Sequence, residues 1–154
     1  LVYENKSILG DIMIQSKIIT DNYVKIFIPY SDNIEDRIFN YNPSLKPEKD
    51  IRGLASNITI NENFISRQKR DSTRREYLKT FNSIYYVIID STTHKTDFIF
   101  SQNKKGEFGF ETYINIKEEI DKGKHLLKVN RIRIKNKDTT KWNITKIPFW
   151  YFNN

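Results

Sequence analysis

Between Ile84 and the C-terminus, apolar and polar residues alternate in one short run after another. A period of two sends successive side chains to opposite faces, so a chain written this way folds as sheets. Two hairpins can be drawn at once, Ile84–Asp90 with Thr96–Ser101 and Thr96–Ser101 with Phe108–Ile116. Tyr85–Ile89 is a continuous apolar run, as expected of a central strand covered on both sides. Phe108, Phe110, Thr112, Ile114 and Ile116 share one face, and Asn103–Gly106 makes the preceding turn with Gly106 supplying positive φ. Gly123 closes a turn at Lys117–Lys122 in the same way.

The next strand, His125–Lys135, changes parity. Leu127 and Val129 are odd, whereas Ile132 and Ile134 are even. One residue has slipped, which predicts a β-bulge near Asn130-Arg131. With the bulge there, Lys128, Asn130, Arg131, Arg133 and Lys135 all face outward as a basic row. Ile144, Ile147, Phe149 and Tyr151 supply the last strand, and Pro148 marks an edge or a bulge.

Upstream, Ile12, Ile14, Ser16 and Ile18 form one alternating strand and Val24, Ile26 and Ile28 another, joined at Asp21-Asn22 as a hairpin. Asp32-Asn33-Ile34-Glu35 has the spacing of a helix-capping box. Asn42-Pro43-Ser44-Leu45-Lys46-Pro47 opens a long loop near residues 42–55, because proline has no backbone donor. Ser56–Ile60 reads as a short strand. Thr73-x-x-Glu76 caps a helix that carries Tyr77, Leu78 and Phe81 on one face and crosses between sheets or plugs one end of them. The expected fold is therefore mainly β, a two-layer antiparallel β-sandwich with one or two short helices. Its core should include Ile12, Ile14, Val24, Ile26, Val87, Ile89, Phe98, Phe100, Phe110, Ile114, Leu127 and Val129.

At 154 residues the chain is one domain, able to bury a core without covalent staples. It has no cysteine, which excludes disulfides, thiolate nucleophiles and cysteine zinc sites. It begins at Leu1 and is expected to be a fragment of a longer chain. Residues 1–20 carry charges throughout, and no apolar run is long enough to span a bilayer. Asn5-Lys6-Ser7, Asn57-Ile58-Thr59 and Asn143-Ile144-Thr145 fit the glycosylation pattern, but an Asn-rich chain contains such triplets by chance.

The formal charge of +7 is unevenly spread. Residues 122–146 hold nine basic residues against Asp138 alone, a balance of +8, and the rest of the chain holds 17 basic against 18 acidic, or −1. The candidate binding residues are thus the basic row Lys128, Arg131, Arg133 and Lys135, which suits phosphate or other anionic groups. A lysine-rich strand protected from edge-to-edge pairing is the structural alternative. Arg67, Lys69, Arg70, Arg74 and Arg75 make a second basic cluster. Tyr113, Trp142 and Trp150 are candidate surface aromatics, with Tyr113 expected on a strand beside the basic row.

Catalytic patterns are sparse. Asp90, His94 and Asp97 are the one close grouping of acids with a histidine, a weak metal candidate that a solvated turn also explains. His125 opens a strand, where a histidine is usually a partly buried, hydrogen-bonded side chain. Two histidines cannot build a multi-histidine zinc site. Glu118, Glu119 and Asp121 lack the spaced oxygens of a calcium loop. No Gly-rich phosphate loop and no Gly-x-Ser-x-Gly elbow occurs, and no cofactor is implied.

The pattern Phe110-Glu111-Thr112-Tyr113-Ile114-Asn115-Ile116, a linker, then Gly123-Lys124-His125-Leu126-Leu127-Lys128-Val129 resembles the last strands of immunoglobulin-like or jelly-roll β-sandwiches. With the Ile-, Lys- and Asn-rich composition, it resembles extracytoplasmic domains of membrane-associated proteins from Bacteroidota-like bacteria. The resemblance covers the last third of the chain and carries no catalytic residue. It implies a non-catalytic binding or interaction domain outside the cytoplasm, anchored by segments beyond this fragment. Its partner would be a protein or an anionic surface of lipid headgroups or polysaccharide. A cytoplasmic nucleic-acid-binding domain and an unrecognised hydrolase are the alternatives.

Overall fold

The computed structural model describes residues 12–45, 64–135 and 138–152, with side chains except at 64–70 and 133–144. The chain is mainly β, with two sheets packed together. In order, the elements are β1 (Met13–Ile14), β2 (Ile18–Ile19), β3 (Tyr23–Pro29), α1 (Asp32–Tyr41), a 3-10 turn (Pro43–Leu45), α2 (Phe64–Ile84), β4 (Tyr85–Ile89), β5 (Thr92–His94), β6 (Ile99–Gln102), β7 (Phe108–Asn115), β8 (Gly123–Lys135) and β9 (Asp138–Tyr151). Among the described residues one sheet runs β1-β3-β7-β6 and the other β2-β9-β8-β4-β5.

Several expectations hold. The β6–β7 hairpin forms, with Phe100 opposite Phe110. Gly106 and Gly123 both take positive φ, +81° and +122°. Nine of the twelve expected core residues are buried, and Ile12, Ile14 and Phe100 pack against them half-buried. The expected loop beyond Leu45 and the strand at Ser56–Ile60 lie outside the described residues.

Other expectations need correcting. Strand β4 pairs with the three-residue β5, not with Thr96–Ser101, and β6 belongs to the opposite sheet. The expected first strand is likewise divided. Met13 and Ile14 pair with β3, whereas Ile18 and Ile19 cross to the second sheet and run parallel to β9, the one departure from antiparallel pairing there. The cap of α1 is Ser31, whose hydroxyl accepts from the Ile34 N–H at 3.4 Å. Helix α2 begins nine residues before Thr73, at Phe64.

Helix α2 joins the sheets. Tyr77, Phe81 and Ile84 repeat at helical spacing and are buried. Phe81 lies 4.0 Å from the ring of Phe110 in one sheet and 4.5 Å from that of Tyr85 in the other. Tyr77 adds contacts with Phe100 and Phe110. The opposite side of α2 presents Arg75 and Lys79 to solvent.

A register irregularity does occur near Asn130, but the extra residue lies in the neighbouring strand. β8 pairs without interruption along β4, from Leu127 opposite Ile89 to Arg131 opposite Tyr85. The irregularity falls against β9, where Val129 pairs with Thr145 and Asn130 with Asn143, passing over Ile144. Because β8 keeps its alternation, Arg131 shares the inner face with Tyr85 and is only 8% exposed. Asn130 is buried as well. The expected outward row is therefore broken at its centre.

Candidate functional site

A groove of about 910 Å³ lies between the C-terminal half of α2 and the segment 93–99. Its helix wall carries Arg75, Leu78, Lys79, Asn82 and Ser83, and its other wall runs from Thr93 through His94, Lys95 and Asp97 to Ile99. Asn82 holds the walls together. Its amide donates to the Phe98 carbonyl at 3.2 Å, and its Oδ1 accepts from the Phe98 N–H at 2.7 Å. A side chain that supplies a donor and an acceptor in this geometry stands in for a strand neighbour and fixes a segment that belongs to neither sheet. Thr112 Oγ1 adds a second tie, accepting from the Asp97 N–H at 3.2 Å.

The floor is apolar, with Leu78 half-buried and Phe98 fully buried, and the rim is cationic. Arg75 and Lys79 sit four residues apart on α2, so they are neighbours on one helix face. Lys95 approaches from the other wall. No ion pair among the described residues engages Arg75, Lys79 or Lys95, and all three are exposed. Asp97 is the one carboxylate in the lining. Such a rim attracts phosphate, sulfate or carboxylate, and the apolar floor rewards a ligand with some carbon surface.

The second cluster built from titratable groups is a lock. Asp90 follows β4 with φ +57°, a conformation aspartate tolerates. Its Oδ2 lies 2.6 Å from His125 Nδ1, and its Oδ1 accepts from the Leu126 N–H at 3.0 Å. His125 Nε2 lies 2.5 Å from the Asp121 carbonyl oxygen. Both ring nitrogens therefore face acceptors, an arrangement that suits the doubly protonated imidazolium. Burial, the largest influence, works against the charge on His125, yet the bonds to Asp90 and the Asp121 carbonyl outweigh it and the pKa is raised above the ordinary 6.5. Burial likewise works against the Asp90 carboxylate, but the bonds from His125 and the Leu126 N–H lower its pKa below 3.8. With both nitrogens occupied, His125 has no lone pair to offer as a general base or a metal ligand. It ties the turn after β4 to the linker before β8.

A pH dependence follows. The contribution of His125 is full below about pH 6.5 and is lost as pH rises through its raised folded-state pKa. That of Asp90 is present above its ordinary value and is lost as pH falls through its lowered one. Because Asp90 is half-exposed, water screens the pair, and its worth is about 1 kcal/mol. Urea midpoints measured between about pH 5 and 9 should fall at the alkaline end, and His125→Gln should flatten that fall. An unchanged alkaline slope in the variant would remove the lock.

The sequence-derived candidates are scattered. Asp90 pairs with His125, while His94 and Asp97 line the groove. Among the described residues no three His, Asp or Glu side chains converge to hold a metal. Of the second basic cluster, Arg74 pairs with Asp71 at 3.9 Å and covers the Phe100 ring, whereas Arg75 lines the groove. Arg67, Lys69 and Arg70 belong to α2, and their side chains lie outside the described set. Lys128 is half-buried on the outer face of β8. Beyond Arg131, β8 pairs among the described residues with β9 alone, so Ile132–Lys135 and Asp138–Lys141 form a two-stranded ribbon that includes Arg133 and Lys135. Trp142 sits opposite Arg131 in that register, its side chain outside the described set. Trp150 is partly exposed under Lys124, 5.5 Å away. Tyr113 is exposed as expected, but on the other sheet, between β3 and β6 and away from the basic row.

Sequence reasoning missed Lys79, Lys95 and Asn82. A signal existed for the first: Arg75 and Lys79 are four apart on the side of α2 opposite Tyr77 and Phe81. No family model matches the chain, and no curated protein or solved structure matches it.

Proposed function

We propose that this chain is a non-catalytic binding domain, part of a larger membrane-associated protein outside the cytoplasm, and that its α2 groove holds the anionic groups of its partner. One observation carries the reading: Arg75, Lys79 and Lys95 line a single open groove with no ion pair among the described residues. Three cations against the single carboxylate of Asp97 leave a net attraction for an incoming anion. The saturated His125–Asp90 pair supports a non-catalytic role, since it uses both ring nitrogens in the fold. The likeness of its last strands to surface β-sandwiches supports the location.

Heparin, vesicles containing phosphatidylglycerol and a single-stranded DNA oligonucleotide are the probes. Heparin or the vesicles should bind, and binding should weaken with salt. Arg75→Ala, Lys79→Ala and Lys95→Ala combined should lower affinity by on the order of 10- to 100-fold with the fold intact. Equal binding by that variant would overturn the groove. A second reading, nucleic-acid binding, rests on the β8–β9 ribbon. It would be favoured if DNA alone bound and Arg133→Ser with Lys135→Ser abolished it.

A further inference from the structure

The outer face of the β1-β3-β7-β6 sheet carries a second constellation, distinct from the groove. Tyr23 on β3 and Tyr113 on β7 are 40% and 53% exposed, and their rings meet edge to face with centroids 5.3 Å apart. A shallow depression of about 420 Å³ surrounds them, lined also by Asn22, Asn115 and Lys117.

The rings are held, although no described residue covers them. Lys25 Nζ lies 5.9 Å from the Tyr113 centroid and pairs with Glu111 at 2.8 Å. Glu111 is buried, accepts from Ser101 Oγ at 3.2 Å and faces the Tyr113 hydroxyl at 3.4 Å. The backbone beneath Tyr23 is fixed as well. β1 stops pairing at Ile14, but the Gln15 side chain continues the ladder, donating to the Tyr23 carbonyl and accepting from the Lys25 N–H, both at 2.8 Å. A pre-ordered aromatic pair loses little entropy when a ligand lands on it.

The rim supplies donors. Asn115 uses its Oδ1 to accept from the Lys117 N–H at 2.9 Å, and its amide NH2 has no partner among the described residues. Lys117 is exposed and makes no ion pair among them. Two exposed aromatic rings beside amide and ammonium donors match a ligand with a flat C–H face and hydroxyl acceptors around its edge. Because Lys25 is neutralised by Glu111, the platform carries only the charge of Lys117, and a polyanion has less reason to choose it than the groove. The depression is too shallow to enclose a compact apolar ligand. We infer that Tyr23 and Tyr113 form a saccharide-binding platform, on which a pyranose ring of an oligosaccharide stacks while its hydroxyls accept from Asn115 and Lys117.

The test is a titration of the whole chain with cellohexaose, xylohexaose, mannohexaose and maltohexaose, read by calorimetry and by amide shifts at 22–25 and 111–117. At least one should bind, with an affinity that salt barely changes. Tyr113→Ala should weaken it by about tenfold or more, while Tyr113→Phe retains it, because the ring and not the hydroxyl makes the contact. The Arg75, Lys79, Lys95 triple variant should bind the sugar normally, which separates this site from the groove. Unfolding midpoints equal to the unmutated chain exclude a folding defect in each variant. No binding by any of the four sugars, or binding that Tyr113→Ala leaves unchanged, overturns the platform.

Discussion

Phe81→Ala is expected to cost about 3–5 kcal/mol of stability, a large share of the total for a domain of this size. The ring has no exposed surface, and it stacks on Phe110 at 4.0 Å and Tyr85 at 4.5 Å while meeting Phe98 edge-on at 5.2 Å. Those three rings belong to β7, β4 and the segment before β6, so one side chain bridges both sheets. Truncation loses the transfer energy of the ring and leaves a void whose walls are anchored in separate sheets and cannot easily close. The lost aromatic contacts add about 0.5–1.5 kcal/mol per pair to area burial. Urea unfolding should show the midpoint fall with the slope unchanged. Lys79→Ala, two residues away on the exposed side of α2, should change stability by less than about 0.5 kcal/mol. A loss below about 1 kcal/mol for Phe81→Ala would mean that α2 does not join the sheets.

Gly109→Ala is expected to be nearly as damaging, for the opposite reason. A Cβ at Gly109 would collide with the Ile28 backbone carbonyl oxygen and would stand 2.5 Å from Cζ and 2.9 Å from Cε2 of Phe27. Gly109, at the start of β7, pairs with Pro29, and the Phe27 ring lies across it, 6% exposed on what is otherwise the outer face of that sheet. An aromatic ring folded over a strand glycine gains burial that a larger residue would deny it. The ring can rotate away, but the carbonyl moves only with β3. Overpacking here should cost about 1–3 kcal/mol, toward the upper end because backbone must shift. Phe27→Ala in the Gly109→Ala background should restore none of the carbonyl contact, so the double variant should stay less stable than Phe27→Ala alone. Equal stability of those two would show that β3 yields freely and that glycine is not required.

These two positions also show what could be read in advance. Phe81 was legible because a helix writes its buried face at three- and four-residue intervals, and Tyr77, Phe81 and Ile84 keep that interval. β7 was legible for the matching reason at period two. Gly109 was not, because its demand comes from β3, far away in sequence. The pairing of β4 with β5 was hidden because Thr92–His94 is short and polar and carries no alternation to read. The sheet change between Ile14 and Ile18 was hidden because a strand that switches sheets keeps its apolar period. The bulge was detected on the wrong strand: a parity slip in a hairpin has two possible owners, and only the pairing with β4 assigns it to β9. That misplacement turned Arg131, which is buried, into the centre of an exposed row. The groove was missed because its walls come from a helix and a connection that the Asn82 side chain joins across sixteen residues.

The most direct measurement is a titration of the isotopically labelled chain with a defined sulfated heparin hexasaccharide, following backbone amide shifts. If the α2 groove is the anion-binding surface, salt-sensitive shifts should concentrate at residues 75–83 and 93–99 and be absent when Arg75, Lys79 and Lys95 are alanine. Shifts confined to residues 131–141, or no saturable shift at low salt, would contradict it.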